Sequence, residues 1–310
     1  VTLDLSVRIG PALLPNPVGV ASGTFGFGTE YGQVVDIARL GAVYTKAVTL
    51  EPRAGNASPR IVETTAGMLN SIGLANPGVE AFLAQKSEAL ADLGCPVFVN
   101  VAGASEADYE AVVRRIEAGL PSAPGRAVVG YEVNLSCPNV KHGGLAFGTD
   151  PAQVERVTAS LRKLTSRALV VKLTPNVADI ASIAVAAERG GADAVSCVNT
   201  LVGMRIDVRA AKPFLAMGTG GLSGPAIKPV GVACVWKASR AVGIPVIGLG
   251  GIMDSDDALE YLLAGASAVQ VGTGVFVDPA IPLKVIDGIA AFMGERGLSS
   301  VGEIRKIIPR

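Results

Sequence analysis

Short apolar runs recur along the chain. Each is followed by a turn rich in Gly, Asn or Ser, and then by a segment of helical periodicity. Eight such runs predict strands at 18–22, 42–47, 96–101, 130–135, 169–173, 194–199, 245–249 and 268–272. Most are continuously apolar rather than alternating, as parallel strands covered on both faces should be. The intervening segments predict helices over 30–40, 79–93, 106–119, 151–166, 177–189, 225–241, 255–264 and 279–295. Asp150-Pro151 and Asp278-Pro279 offer a carboxylate at the N-cap and proline at N1. Ser105 with Asp108 reads as a capping box with a shorter acid. Gly190-Gly191 and Gly265 stand where a left-handed C-terminal cap is useful.

Eight strand–helix alternations favour an α/β fold of the (β/α)8 TIM-barrel type over the alternative, a doubly wound open sheet. No linker or charge run divides residues 1–310, so one domain is expected. Residues 3–7 and 12–14 predict an N-terminal hairpin that closes the barrel floor. Rim insertions are expected after strands 2, 4 and 6. They comprise residues 48–78, the glycine-rich loop from Cys137 to Gly148, and residues 200–224. In a barrel all three lie on the face where active-site loops belong.

Composition narrows the function. Hydrophobic residues make up 49% and aromatic residues 5%, so aliphatic side chains must fill the core. Lys plus Arg and Asp plus Glu are 27 each, which gives no electrostatic case for nucleic acid or an anionic membrane. No run of about twenty apolar residues predicts a membrane span. The first ten residues lack a charged stretch followed by an apolar one, so no leader is expected and the cytoplasm is the expected compartment. The four cysteines, Cys95, Cys137, Cys197 and Cys234, form no CxxC pair, so no metal site is expected within the chain.

Polar residues end nearly every apolar strand: Ser22, Thr45-Lys46, Asn100, Asn134, Lys172 and Asn199-Thr200. Buried polar groups are costly unless hydrogen-bonded, so these predict a pocket for a flat polar ligand. Gly250-Gly251 and Gly272-Thr273 follow strands 7 and 8, where barrels bind phosphate, and Gly220-Gly221 and Gly224 can add donors. Turn formation alone is the alternative for each glycine pair. Lys46 and Lys172 sit in apolar strands and point to an anionic ligand, although either one could snorkel to the rim. Cys137 leaves strand 4 at the mouth, where an electropositive setting makes a thiol a workable base. A Cys137–His142 nucleophilic pair is conceivable, but Gly143-Gly144 argues against a fixed base there.

The segment Asn134-Leu-Ser-Cys137-Pro-Asn139-Val-Lys-His142-Gly-Gly resembles the dihydroorotate dehydrogenases. Supporting motifs span the chain: Ala21-Ser-Gly23, Thr45-Lys46, Asn70-Ser-Ile-Gly-Leu-Ala-Asn-Pro-Gly78, Asn100 and Val171-Lys-Leu-Thr-Pro175. Others are Val198-Asn-Thr200, Gly220-Gly-Leu-Ser-Gly224, Gly248-Leu-Gly-Gly251 and Gly272-Thr273. Cysteine at 137 resembles class 1 of that family. Residues 137–151 and Gly203-Met-Arg-Ile-Asp207 are similar to subclass 1B catalytic subunits.

The resemblance implies FMN-dependent oxidation of (S)-dihydroorotate to orotate in de novo pyrimidine (UMP) biosynthesis. It implies Cys137 as base for the C5 proton and hydride transfer from C6 to FMN. It implies one FMN per chain, held by Ala21, Ser22, Lys46, Ala47, Asn100, Asn134, Lys172, Val198, Gly224, Gly250, Gly251, Gly272 and Thr273. The substrate is expected on Lys46, Asn70, Ser71, Ile72, Gly73, Leu74, Asn134, Asn139, Asn199 and Thr200. It further implies a homodimer, or a heterotetramer with a partner subunit that carries FAD and a [2Fe–2S] cluster and passes electrons to NAD+. No role is assigned to His142. The competing readings are a dihydropyrimidine dehydrogenase-like enzyme and a non-catalytic phosphate-ligand barrel.

Overall fold

A computed structural model describes residues 3–120, 128–135 and 147–309. All eight predicted strands are present, and they close into a parallel barrel. In chain order they are Val18–Val20, Ala42–Tyr44, Val97–Val101, Val128–Asn134, Ala168–Leu173, Ala194–Cys197, Val246–Leu249 and Ala268–Val271. Each pairs with its neighbours in the chain, and the eighth pairs with the first through Val269↔Val18, Gln270↔Gly19 and Val271↔Val20. An open sheet is thereby ruled out. The period-2 pleat puts Phe98 and Asn100, Gly130, Glu132 and Asn134, Ala168, Val170 and Lys172, and Ala194 and Ser196 in register on one side of their strands.

Capping follows the sequence closely. The Asp150 side chain accepts from Ala152 N–H at 3.0 Å, and Pro151 opens the helix Pro151–Arg162. Ser105 accepts from Asp108 N–H at 3.2 Å while Asp108 accepts from Ala104 N–H at 2.9 Å, a reciprocal cap on Glu106–Gly119.

Four elements depart from the prediction. Residues 30–40 form two short 3-10 turns, Thr29–Tyr31 and Ile37–Arg39, rather than a helix. Gly32 and the β-branched pair Val34-Val35 disfavour a helix. The Glu30 carboxylate turns back to accept from Phe27 N–H at 2.9 Å, and the Tyr31 ring stacks on Phe25 at 4.0 Å. The helix expected at 79–93 is divided at Lys86, φ −121°, into Val79–Gln85 and Ser87–Ala91. Asp278 does not cap the last long helix, Ile281–Glu295. It ends the short helix Gly274–Val277 and accepts from Ala280 N–H at 2.8 Å. The N-terminal hairpin starts later than expected, pairing Val7–Ile9 with Ala12–Leu14, while Asp4 bridges to Ser300.

The insertions after strands 2 and 6 are not independent loops. Leu201–Met204, Thr219–Ser223, Gly67–Asn70 and Ile61–Thr64 form one four-stranded antiparallel sheet in that order. Val62, Leu69 and Leu215 give the sheet a small core of its own. Among the described residues no helix is long and apolar enough to cross a membrane.

Candidate active site

A cavity of about 590 Å³ opens at the barrel mouth, within the range of small-molecule and cofactor sites. Its walls come from strand ends 1, 2, 4, 5 and 6, from the glycine loops after strands 7 and 8, and from the insertion sheet. Nearly all the described residues expected at the site line it. Ala21, Ser22, Lys46, Ala47, Asn134, Lys172 and Val198 meet Gly224, Gly250, Gly251, Gly272 and Thr273 there. The other wall carries Asn70, Ser71, Ile72, Gly73, Leu74, Asn199 and Thr200.

The glycine loops allow a close backbone approach. Gly251 (φ +74°) and Gly224 (φ +92°) are left-handed, and a Cβ on Gly251 would lie 2.7 Å from the Gly224 carbonyl oxygen. A side chain fits neither, so the main chain itself forms this wall. The helix Lys228–Ala241 begins four residues after Gly224, and its N-terminal end adds positive potential. Thr273 Oγ1 donates to Ser223 Oγ at 2.8 Å, joining the eighth-strand loop to the insertion sheet.

Amides furnish the other side. Asn199 Nδ2 donates to Asn134 Oδ1 at 3.3 Å, Asn199 Oδ1 accepts from Thr200 N–H at 2.8 Å, and Asn70 Nδ2 donates to the Gly221 carbonyl at 3.4 Å. Burial pushes the Lys46 ammonium below the ordinary lysine range, and Arg60 nearby adds repulsion. No carboxylate among the described residues offsets that charge. Lys46 is thus a half-buried cation facing a cavity, which suits an anionic ligand.

Asn100 is the exception among the expected residues. It is fully buried below the cavity lining, where its Nδ2 donates to Glu132 Oε2 at 2.7 Å and its Oδ1 has no partner. Cys137, Asn139 and His142 lie outside the described residues. Sequence alone does not single out Glu132, Ser196 and Gln270, which build a polar cluster beneath Lys172. Nor does it single out Thr174 and Asn176 on the cavity wall. A carboxylate inside the apolar run Val128–Asn134 was the available signal for Glu132.

A closed barrel with an amide-lined, cation-bearing cavity above its strand ends and glycine loops at strands 7 and 8 defines a (β/α)8-barrel protein with a small-molecule or cofactor site at its mouth. Comparison with known proteins narrows the class. The chain belongs to the dihydroorotate dehydrogenase family, whose sequence model matches residues 4–293. It is 50% identical over 300 residues to a protein of Trichlorobacter lovleyi named dihydroorotate dehydrogenase B (NAD(+)), catalytic subunit, covering 97% of each chain. Proteins of the same name from Pelobacter propionicus and Listeria welshimeri are 49% and 51% identical, again over 97% of each chain.

Proposed function

We propose that this chain is the catalytic subunit of an NAD+-linked dihydroorotate dehydrogenase, oxidising dihydroorotate to orotate in pyrimidine biosynthesis with FMN in the barrel mouth. One observation carries the reading. Lys46, Asn70, Asn134, Lys172 and Asn199, far apart in sequence, line the same cavity as the glycine loops at 224, 250–251 and 272–273. The residues present fit FMN: a backbone cradle for a phosphate, and cations and amides for an electron-rich ring.

FMN, when bound, supplies the two-electron acceptor. The protein supplies position and charge. Main chain at Gly224, Gly250, Gly251, Gly272 and Thr273 would hold the phosphate. Ala21, Ser22, Ala47, Asn134, Lys172 and Val198 would surround the remainder, with Asn100 beneath them and the Lys172 ammonium supplying positive charge. Lys46 pairs with the substrate carboxylate. Asn70, Asn134, Asn139 and Asn199 offer the donor–acceptor pairs a pyrimidine dione needs, aided by Thr200 and the segment 71–74. Cys137, as thiolate, takes the C5 proton. It stands two residues beyond Leu135, whose carbonyl accepts from Gly148 N–H at 2.8 Å and so ties the two ends of the intervening segment together beside Asn134.

The name shared by the relatives, catalytic subunit, implies a second subunit. On this reading that subunit carries FAD and a [2Fe–2S] cluster, and a homodimer of the present chain forms the centre of a cytoplasmic heterotetramer. The test is turnover by FMN-reconstituted protein with an artificial electron acceptor. Dihydroorotate should be oxidised and dihydrouracil should not; turnover of dihydrouracil alone would overturn the substrate. Cys137→Ala should remain yellow and lose about 10²–10⁴ in rate near neutral pH, as the removal of a general base does. Loss of flavin from that variant would make the residue structural.

A further inference from the structure

Beneath the cavity, inside the barrel, lies a carboxylate to which the mechanism above assigns nothing. Glu132 is completely buried. Its Oε1 accepts from Ser196 Oγ at 2.9 Å and from Gln270 Nε2 at 2.8 Å. Its Oε2 accepts from Asn100 Nδ2 at 2.7 Å and lies 3.6 Å from Lys172 Nζ. The four partners come from the third, fifth, sixth and eighth barrel strands, so one side chain gathers half of the barrel onto a single anion. Among the described residues Glu132 is the only carboxylate in ion-pair range of Lys172, whose side chain is 6% exposed and lines the cavity.

A buried carboxylate with this many donors is held in place, and ion pairs of this kind fix geometry more than they add stability. Core packing needs no charge here, since Val170, beside Glu132 on the fifth strand, is apolar. The geometry points to a second purpose. We propose that Glu132 is a positioning residue that fixes the Lys172 ammonium against the cavity floor and offsets its charge, thereby setting the reduction potential of the bound flavin. The proposal rests on the FMN reading above.

The consequence is electrostatic. With Glu132 present, the Glu132–Lys172 pair is neutral as a unit, and the flavin feels a dipole. Glu132→Gln keeps the shape, the Oε1 acceptor and the packing, and leaves a net positive charge below the flavin. That charge favours the reduced, more electron-rich state. The midpoint potential should move to more positive values, changing the reduced-to-oxidised ratio against a reference dye by about tenfold near neutral pH. Glu132→Asp, which retains the charge, should stay close to the wild-type potential. A purely structural role predicts the opposite pattern: both variants melt earlier and neither shifts the potential.

A second measurement needs no flavin. Thermal unfolding of Glu132→Gln, Lys172→Gln and the double variant should be non-additive, with the double variant at least as stable as Lys172→Gln alone. Additive losses overturn the pairing. Flavin-loaded Glu132→Gln with an unchanged potential overturns the tuning role while leaving the FMN reading intact. Wild-type protein that takes up no FMN overturns both.

Discussion

Lys172 is buried and Lys46 half-buried at the mouth of one barrel, and their surroundings differ. Lys172 has Glu132 at 3.6 Å, whereas Lys46 meets desolvation and Arg60. A lysine held below its ordinary value destabilises the ligand-free fold at pH below that lowered value, where it must be charged while buried. The penalty fades as pH rises from the lowered value towards the unfolded value of about 10.4. An anion bound beside Lys46 reverses the balance by favouring the charged form. Orotate affinity should therefore be full at neutral pH and should fall as pH rises through the lowered value, earlier than an ordinary lysine allows. Flavin-absorbance titrations with orotate from about pH 7 to pH 10 measure this. Lys46→Arg should move the fall to higher pH, and Lys46→Ala should weaken binding and abolish the dependence. An identical pH profile in the arginine variant would remove Lys46 from the carboxylate site. The two lysines were legible in the sequence because each interrupts an apolar strand. Glu132 was equally visible, but its meaning was not. Its partners Ser196 and Gln270 lie 64 and 138 residues away, and only closure of the barrel brings them together.

All eight strands were legible to within three residues at either end, because a continuous apolar run between turn signals has few alternatives in an alternating chain. The helices at 30–40 and 79–93 were not, since their periodicity is real but side-chain contacts override it. Glu30 folds back on Phe27, and the Lys86 ammonium stands 5.5 Å from the centre of the Phe27 ring. The shared sheet of the two insertions was also illegible, for its strands are short and pair across about 150 residues, as in Gly221↔Asn70. Gly67, φ +147°, marks where that sheet meets the Gly224 turn, because a Cβ there would collide with the Ser223 carbonyl and with Gly224. Gly67→Ala should separate the two insertions. The expected outcome is a destabilisation of about 1–3 kcal/mol together with weaker FMN binding. Far-ultraviolet circular dichroism should show the barrel intact, and fluorescence quenching of FMN reports the affinity. Wild-type affinity in this variant would show that the sheet does not support the cradle.

The molecule divides its labour between its two ends. The Asp4–Ser300 bridge joins the chain's first and last segments, while the cavity lies among the loops at the mouth. A cofactor seated in the cavity, whose lining comes from many strand ends, should stabilise the whole domain. At a hundred times its dissociation constant FMN would add about 2.7 kcal/mol, which for a chain of this size raises Tm by roughly 4 °C. Differential scanning calorimetry with and without FMN measures it, and equal Tm values would show that the folded chain does not bind FMN. The roof shared by residues 48–78 and 200–224 has a further consequence for anyone recombining relatives of this chain. Neither segment can be grafted alone, since each supplies strands that the other must match in register. Substrate preference is thus a property of the two transplanted together, and chimaeras that exchange only one should lose the ligand before they gain a new one.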